Sequence, residues 1–467
     1  MQTTAVSASD EFLKAWPEFA PDGEVERLRA REFGRLDAEG HVYLDYTGAG
    51  LAGASQIRRH ADLLLGHVLG NPHSVSPTSH LATELVEGAR RHVLSFFNAS
   101  PDDYMVVFTA NASHALKLVG ESYPFAHRRR FVLTYDNHNS VNGIREFARA
   151  AGAEIAYVPI VPPDLRVDSS AVAAALDAGG RPEPGLFAFP AQSNFSGVRH
   201  DLSWIDAAHA QGWHVLLDAA AFVPTNRLDL SRWSPDFVVL SFYKMFGYPT
   251  GVGALVARKA ALGLLRRPWF AGGTITVASV GADRYHLAAG PAAFEDGTVN
   301  FASLPAIDLG LDFLEQVGVE NIHRRVEALT GWLIDALLSL RHSNGERLIT
   351  LYGPAGTEAR GGTITVNFRD EAGRFIDHKT IEGRASERGI SIRSGCFCNP
   401  GAGEMAMGIQ ADAMRGCFVR LADRITYDDF MRCIDGKSTG AVRMSLGLAS
   451  TFGDARAFVD FAREFLS

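Results

Sequence analysis

The segment FVVLSFYK, residues 237–244, is an apolar run of strand character that ends near Ser241 and is followed at once by Lys244. Upstream, the run VLLD at residues 215–218 ends on Asp218 in the same way. The carboxyl ends of neighbouring parallel strands meet at one edge of a sheet, and ligands bind at that edge. The two runs therefore predict an α/β fold with Asp218 and Lys244 at a ligand-binding edge.

The flanking sequence repeats this alternation of short apolar strands with helical periodicity. Helical runs such as Trp204–Gln211 separate several of the strands, which indicates parallel βαβ units in one open, covered sheet. The predicted strands are Met105–Thr109, Phe131–Tyr135, Leu186–Pro190, Val215–Asp218, Phe237–Ser241 and Gly253–Ala257.

After about residue 305 the pattern changes to a long helical stretch, Ala306–Leu340, followed by strands and further helices. A chain of 467 residues, 46% of them hydrophobic, is long enough to bury more than one core. We expect a large domain at residues 41–305 and a smaller α+β domain at residues 306–467, completed by residues 1–40. The predicted strands of the smaller domain are Ile349–Tyr352, Thr363–Phe368 and Ala441–Ser445.

Composition and charge exclude several classes of protein. The net charge of −8 and the shortness of the cationic run at residues 128–130 argue against a nucleic-acid partner. No apolar run of about 18 residues occurs, so no membrane span is expected. The N-terminus lacks the basic start and the apolar run of a signal peptide. Four cysteines are too few for a disulfide scaffold, so we expect a cytoplasmic protein.

Asp218 and Lys244 together suit the cofactor pyridoxal 5'-phosphate (PLP). A carboxylate keeps the pyridine nitrogen of PLP protonated, and a lysine amine forms a Schiff base with its aldehyde. Burial and nearby cations would favour the neutral, nucleophilic form of the lysine. The spacing alone is equally met by an ordinary loop lysine and a helix cap, which are commoner.

Two further motifs concern anion binding. The loop Thr109–His114 precedes the predicted helix Ala115–Glu121, and backbone N–H groups at a helix start favour a phosphate. A plain N-cap by Asn111 or Ser113 would explain the same residues. The run GAGLAG at residues 48–53 matches GxGxxG, but the acidic residue expected about 20 positions later is missing, which argues against a dinucleotide site.

Cys396 and Cys398 stand in the loop RSGCFCNPG, after the predicted strand GISIR. No second cysteine pair and no spaced histidines complete a zinc site, so no metal is expected. A cation such as Arg393 lowers the pKa of a neighbouring thiol, which would make one of these cysteines a nucleophile. Two inert loop cysteines are the alternative.

Seven segments in order resemble the class V aminotransferase branch of fold-type I PLP enzymes, in particular the cysteine desulfurase group and the N-terminal domain of molybdenum cofactor sulfurases. They are FTANASHALKLVGE, DNHNSVNGIREFA, LLDAAAFVPTNRLDLS, SFYKMFGYPTGVGALVAR, FEDGTVNF, SGCFCNPGA and GAVRMSLGLASTF. The resemblance runs from about Tyr43 to the C-terminus. It implies a large domain with a mostly parallel sheet and a smaller C-terminal domain.

Carried over position by position, the resemblance makes Lys244 the Schiff-base lysine and Asp218 the partner of the pyridine nitrogen. Asn194 in QSNFSG corresponds to the group near the PLP hydroxyl, beside the substrate. His138 in DNHNS corresponds to the ring that stacks on the cofactor and acts in catalysis, although the offset also allows Asn137 there.

The resemblance also implies a phosphate site and a partner subunit. Ala112, Ser113 and Ser241 correspond to phosphate contacts within one chain. Thr298 in EDGTVN resembles a phosphate contact donated by the other subunit, which implies a homodimer.

The implied reaction converts L-cysteine into L-alanine. Arg443 in VRMSL resembles the arginine that binds the substrate carboxylate in a bidentate manner. Cys398 aligns with the cysteine that receives sulfur as a persulfide, for transfer to an acceptor protein or cofactor. The alternatives are another PLP reaction on an amino acid (β-lyase, epimerase or aminotransferase) and a non-catalytic partner of the same fold. Intact Lys244, Asp218 and Arg443 argue against the second alternative.

Three positions depart from simple cysteine desulfurases. Tyr243 stands where they have histidine and Ala221 where they have glutamine, and both changes match the molybdenum cofactor sulfurase type. Glu404 lies where some members have another cysteine, so the sulfur relay is expected to differ. Those sulfurases continue into a cofactor-binding domain whereas this sequence ends soon after SLGLASTF, which leaves the final acceptor open.

Overall fold

The computed structural model describes residues 8–19, 23–72, 74–177, 185–420, 429 and 440–467, and all structural statements below concern these residues. A seven-stranded sheet forms the centre of the larger part of the molecule. Its strands lie in the order β2-β10-β9-β8-β7-β3-β4. Their bounds are β2 Tyr104–Thr109, β3 Arg130–Thr134, β4 Glu154–Val158, β7 Leu186–Pro190, β8 His214–Asp218, β9 Phe237–Ser241 and β10 Gly253–Arg258.

The sheet is parallel except for β10, which runs antiparallel to both β2 and β9. Because β10 runs in the opposite direction, its first residues lie at the edge where β2 and β9 end. The connection between β9 and β10 therefore lies at the same edge as the loops after β2, β3, β7 and β8. This edge is where the predicted ligand site lies.

Helices cover the sheet, and short pairs of strands form separate two-stranded sheets beside it. The helices of this part are α3 Ala54–Gly66, α4 Pro77–Phe96, α5 Ala112–Ser122, α6 Asn139–Asn142, α7 Ile144–Ala150, α8 Ser169–Leu176, α9 Trp204–His209, α10 Phe242–Phe246 and α11 Lys259–Leu262. The short strands are β5 Ile160–Val161 paired with β6 Arg166–Val167, and a hairpin of β11 Ile275–Ser279 with β12 Arg284–Leu287. Central strands such as β7 and β9 are buried at every position, which explains their continuous apolar sequence.

A four-stranded antiparallel sheet, ordered β13-β14-β17-β16, forms the smaller part. The elements here are α12 Pro305–Val317, α13 Val319–Ser339, β13 Ile349–Tyr352, β14 Thr363–Phe368, α14 His378–Glu387, β15 Ile390–Ser391, β16 Arg393–Gly395, α15 Pro400–Ala406, α16 Ala411–Arg420, β17 Ala441–Ser445 and α17 Phe452–Arg463. Gly318, with φ +82°, separates α12 from α13, so the predicted stretch Ala306–Leu340 is two helices.

The N-terminal residues pack on this smaller part. They form α1 Ala8–Ala15, a 3-10 turn Pro17–Phe19, α2 Glu24–Ala38 and β1 Val42–Tyr43. Phe12 stacks on Phe452 with ring centroids 4.8 Å apart, and Arg29 forms a buried ion pair with Asp454. β1 pairs in parallel with β15. These contacts agree with a C-terminal unit completed by the first 40 residues, while the domain boundaries stay a prediction because one hydrophobic core crosses residue 305.

The predicted fold class is confirmed, and the nine strands predicted by residue range are present with bounds that differ by at most one residue. The predicted strand GISIR is instead divided into β15 and β16, which belong to different sheets. No helix within the described ranges is long and apolar enough to cross a membrane.

Candidate active site

A cavity of about 340 Å³ opens at the carboxyl edge of the large sheet. Seven predicted cofactor-site residues lie on its wall. They are Ala112, Ser113, His138, Asn194, Asp218, Ser241 and Lys244. Residues from five separate connections of the sheet thus meet at one place, as the positions of the strand ends predict.

Lys244 lies in α10, the short helix that begins directly after β9. Burial lowers the pKa of Lys244, while the Asp218 carboxylate opposes this shift and Arg443 adds to it. The amine is therefore more easily deprotonated than that of an ordinary lysine. Asp218, at the end of β8, is buried, and its Oδ1 accepts a hydrogen bond from the backbone N–H of Ala220 at 3.0 Å.

The GxGxxG run packs against the helix that carries Lys244. The N–H of Gly50 donates to the carbonyl of Tyr243 at 3.0 Å, and a Cβ at Gly50 would lie 2.8 Å from the carbonyl oxygen of Lys244. Gly247 ends α10 with φ +76°, and a Cβ there would overlap the backbone of Leu51 and Ala52. These glycines thus allow the backbone of the GxGxxG run and the backbone of α10 to lie close together beside Lys244.

The start of α5 forms one end of the cavity. Asn111 is the N-cap and accepts from the N–H of His114 at 2.9 Å, so Asn111 rather than Ser113 caps the helix. The N–H of Ala112 donates to Ser241 Oγ at 2.9 Å, and the hydroxyl groups of Ser113 and Ser140 are 2.6 Å apart. Backbone N–H groups and hydroxyls at a helix start are a suitable set of donors for a phosphate.

His138, and not Asn137, faces the cavity. Asn137 is fully buried, and its Nδ2 donates to the carbonyls of Thr134 and Ala188 at the sheet edge. Nδ1 of His138 accepts from the N–H of Ser140 at 3.1 Å, which leaves Nε2 as the protonated nitrogen of a neutral ring. Burial lowers the pKa of His138, although Asp218 opposes that shift, so the ring is neutral at pH 7.

Cys396 and Cys398 are free thiols, and Cys398 is the exposed one of the two. The two cysteines lie in a tight turn and not in an extended segment. Phe397 and Cys398 both have φ +55°, and the N–H of Asn399 donates to the carbonyl of Cys396 at 2.9 Å. These are features of a type I′ turn, which costs about 1–2 kcal/mol for each residue other than glycine.

This turn is bound to the cavity wall through Asn194. Nδ2 of Asn194 donates to the carbonyl of Phe397 at 2.8 Å, and its Oδ1 accepts from Asn399 at 2.9 Å. The N–H of Asn139 donates to the carbonyl of Cys398 at 2.7 Å. The loop of Cys398 is thus fixed at several backbone atoms.

Arg443, in β17, is 3% exposed and contacts both Asp45 and the Asn194 loop. Its two terminal nitrogens donate to Asp45 Oδ1 at 3.0 Å and to the carbonyl of Asn194 at 3.1 Å. Its Nε is buried and has no hydrogen-bond partner within the part of the chain that the structure describes. Burial lowers the pKa of Arg443, and Asp45 opposes the shift. A buried guanidinium with a vacant donor is suited to an acidic ligand.

Four predicted positions, Cys398, Arg443, Thr298 and Glu404, are not among the residues that line the cavity. Thr298 is exposed on a surface loop of its own chain, so a single chain does not bring it to Lys244. Glu404 is half-buried in α15, where Oε2 accepts from the Tyr135 hydroxyl at 2.9 Å. Burial raises the pKa of Glu404, and the hydrogen bond from Tyr135 opposes the rise. The departures Tyr243 and Ala221 both line the cavity.

Two residues of the site, Asp45 and Asn399, were not predicted from the sequence. Asp45 binds Arg443 and also Arg393, whose terminal nitrogen lies 2.6 Å from Asp45 Oδ2. Its signal was an acidic residue after an apolar strand, as at Asp218. Asn399, which follows the cysteine pair, was the other; its signal was the Asn-Pro dipeptide, which often marks a helix start.

The residues at this edge fit PLP. A lysine with a lowered pKa, a buried carboxylate at Asp218 and the donors at the start of α5 supply partners for its aldehyde, pyridine nitrogen and phosphate. The cavity of about 340 Å³ lies between these groups and is lined by all three.

Comparisons with known proteins agree with this chemistry. The family model "Aminotransferase class-V" matches residues 42–458. The molybdenum cofactor sulfurase of Bos taurus is 40% identical over 461 residues, which are 94% of this chain and 51% of that protein. That of Solanum lycopersicum is 38% identical over 493 residues, covering 97% and 59%. The chain spans about half the length of the curated relatives that it matches.

Solved structures with the same fold include two cysteine desulfurases. That of Thermococcus onnurineus NA1 has a TM-score of 0.77 at 22% identity and covers 94% of this chain and 98% of its own. That of Escherichia coli has a TM-score of 0.73 at 21% identity and covers 95% and 99%. At these identities the likeness shows the fold, fold type I. With the family model matching most of its length, the chain belongs to the class V aminotransferase family of PLP-dependent enzymes.

Proposed function

We propose that this protein is a cysteine desulfurase that moves sulfur from L-cysteine to Cys398 and releases L-alanine. One observation carries the proposal: an exposed free thiol lies on a turn that hydrogen-bonds to Asn194, a residue of the Lys244 cavity. Relatives named molybdenum cofactor sulfurase and structural neighbours named cysteine desulfurase support it.

Arg443 would hold the substrate carboxylate. Its vacant Nε is one donor, and Asp45 and the carbonyl of Asn194 fix the plane of the guanidinium. A fixed planar arginine orients an amino acid better than a flexible lysine because fewer rotations are lost on binding.

Lys244 and Asp218 would carry out the proton transfer and the charge stabilisation at the substrate α-carbon. PLP, when bound in this cavity, would supply an electron sink for that carbon. Once the amino group of cysteine has replaced Lys244 on the cofactor, the freed Lys244 Nζ would accept the proton from the α-carbon, because burial keeps this amine easily deprotonated. Asp218 retains a proton on the pyridine nitrogen.

Sulfur transfer is an exchange of bonds between Cys398 and the substrate. The Cys398 thiolate forms an S–S bond with the substrate sulfur while the Cβ–S bond breaks, and the electron pair of that bond stays with carbon. A proton then replaces sulfur on Cβ, which gives alanine and a Cys398 persulfide. The names of the relatives make the molybdenum cofactor the proposed final acceptor.

The active unit is proposed to be a homodimer. Thr298 is exposed at the surface of its own chain, in the loop after the buried Glu295. Glu295 is fixed by Arg90 at 2.9 Å and by the N–H of Phe108 at 2.8 Å. A rigid loop with an exposed hydroxyl suits a phosphate contact to a second copy.

The decisive experiment measures alanine release from cysteine and the mass of the Cys398 peptide. Cys398→Ser is expected to keep the cofactor colour and cysteine binding but to lose alanine formation by at least about a hundredfold, since the acceptor of sulfur is missing. A wild-type persulfide should add roughly 32 Da to the Cys398 peptide.

Cys396→Ser is the matched control, because this thiol is two residues away and less exposed. It should retain most of the activity. Full turnover by Cys398→Ser, with no persulfide on the wild type, would favour a β-lyase or another PLP reaction instead.

A further inference from the structure

The turn that carries Cys398 holds a conformation that its sequence disfavours. Phe397 and Cys398 both lie in the left-handed region with φ +55°, although neither is glycine or asparagine. Such a conformation persists only where surrounding contacts impose it. The question is which residue imposes it.

The Asn399 side chain makes three hydrogen bonds, each to a different part of the surroundings. It is fully buried, and its Nδ2 donates to the carbonyl of Asp136 at 2.6 Å and to Asn194 Oδ1 at 2.9 Å. Its Oδ1 accepts from the N–H of Ala402 at 3.2 Å, as the N-cap of α15. Its own N–H closes the turn to Cys396. One amide thus joins the turn, a helix start and the cavity wall.

Both anchors of Asn399 Nδ2 are themselves fixed. Asp136 Oδ2 lies 2.9 Å from Nε2 of His200, and both side chains of this pair are almost completely buried. Oδ1 of Asn194 accepts a hydrogen bond from Nδ2 of Asn399, and Nδ2 of Asn194 donates to the carbonyl of Phe397. Phe397 in turn lies under the guanidinium of Arg443, 4.8 Å from the ring centroid.

We infer that Asn399 is a positioning residue, which sets the place of the Cys398 thiol relative to the substrate through Nδ2. Asn399 is not among the residues that line the cavity, and it acts through Asn194 and the backbone of the turn. The inference rests on the proposed function, because it assigns the thiol a reaction that depends on its position.

Asn399→Asp tests the role of Nδ2 with little change of shape. The carboxylate keeps an acceptor for Ala402, and aspartate is as good an N-cap as asparagine. The donor is lost, and an acceptor now faces the carbonyl of Asp136 and Oδ1 of Asn194. Asn399→Ser is a second variant, which also keeps a cap and lacks the donor, in case the added charge prevents folding.

The first readout does not need turnover. Amide hydrogen exchange is expected to rise at least tenfold at Asn139 and Asn399, whose N–H groups bind the carbonyls of the turn. Unchanged exchange at both amides in both variants would overturn the inference. Asn344→Asp is the control, because Asn344 also donates to a carbonyl and accepts a backbone N–H, but on the surface.

The second readout separates binding from sulfur transfer. With PLP-loaded enzyme, KM for cysteine should stay within about twofold of the wild type, while the single-turnover rate of persulfide formation falls at least tenfold. An equal rate in Asn399→Asp, Asn399→Ser and wild type would contradict the inference and leave the proposed function intact. Absence of a persulfide on the wild type would overturn the proposed function, and the exchange experiment would still decide whether Asn399 holds the turn.

Discussion

At the scale of single residues, the surroundings of Lys244 determine how easily its amine loses a proton. Its pKa is lowered by burial, raised by Asp218 and lowered further by Arg443. The neutral amine attacks an aldehyde, so the rate of covalent PLP attachment should rise with pH and level off below the pH expected for an ordinary lysine.

Two substitutions should move that pH dependence in opposite directions. Asp218→Asn removes the charge that raises the pKa, so the midpoint should move to lower pH. Arg443→Gln removes a charge that lowers it, so the midpoint should move to higher pH. The measurement is the growth of the yellow colour when PLP is added to cofactor-free protein at a series of pH values.

Lys244→Ala should give no borohydride-reducible bond to PLP, and such a bond in this variant would show that another lysine is used.

Arg443 and Arg393 form a natural pair for a test of substrate binding. Both bind Asp45, but the Arg443 side chain is 3% exposed and that of Arg393 is 53% exposed. Arg443→Lys should raise KM for cysteine at least about tenfold, because loss of a charge-assisted bidentate contact costs about 2–4 kcal/mol. Arg393→Lys should change KM by less than about threefold. Steady-state kinetics would contradict the assignment if the two effects were equal.

At the scale of elements, much of the large sheet could be predicted, because fully buried strands are continuous apolar runs that stand out from helical periodicity. Strand direction could not be predicted: nothing in the run Gly253–Arg258 indicates that β10 is antiparallel. The hairpin β11–β12 was missed because its residues are largely exposed and carry little apolar signal.

Most of the cofactor site could likewise be predicted from strand ends and family motifs. The contacts of Asp45 and the shape of the Cys398 turn could not. Asp45 meets Arg443 across 398 positions of sequence, and local pattern carries no information on such a pairing. The turn is held by Asn194 and Asn139, which belong to distant segments, so its own sequence does not indicate its shape.

The contact between α10 and the glycine run predicts a strong effect of one methyl group. Gly247→Ala places a Cβ against Leu51 and Ala52 at φ +76°, and should destabilise the protein by about 2–4 kcal/mol and weaken PLP binding. Gly152→Ala is the control, because Gly152 has φ +75° but no atom within 4 Å of the new Cβ. It should cost about 1 kcal/mol by chemical denaturation and leave PLP binding unchanged. Equal losses would show that backbone conformation, not contact, dominates.

At the scale of the whole molecule, the proposed dimer predicts complementation between two inactive variants. Thr298→Asp should repel the phosphate of PLP in the neighbouring subunit, and Lys244→Ala removes the anchor in its own subunit. Mixed dimers should contain one intact site, and free exchange of equal amounts makes half of the dimers mixed, so activity should return to about a quarter of the wild type. Light scattering should show a dimer, and a monomer that holds one PLP per chain would exclude the arrangement.

The pairing of Asp45 with Arg443 also has a consequence for the order in which the parts of the site are completed during synthesis of the chain. The residues that line the cavity lie between Ala110 and Gly251, whereas the partner of Asp45 lies 398 positions after it. Ribosomes add about 5–20 residues per second and domains fold from the N-terminus, so roughly 20–80 seconds separate the synthesis of Asp45 from that of Arg443. A nascent chain therefore contains all the residues that line the PLP cavity before the ribosome has added the arginine that is proposed to bind the amino acid.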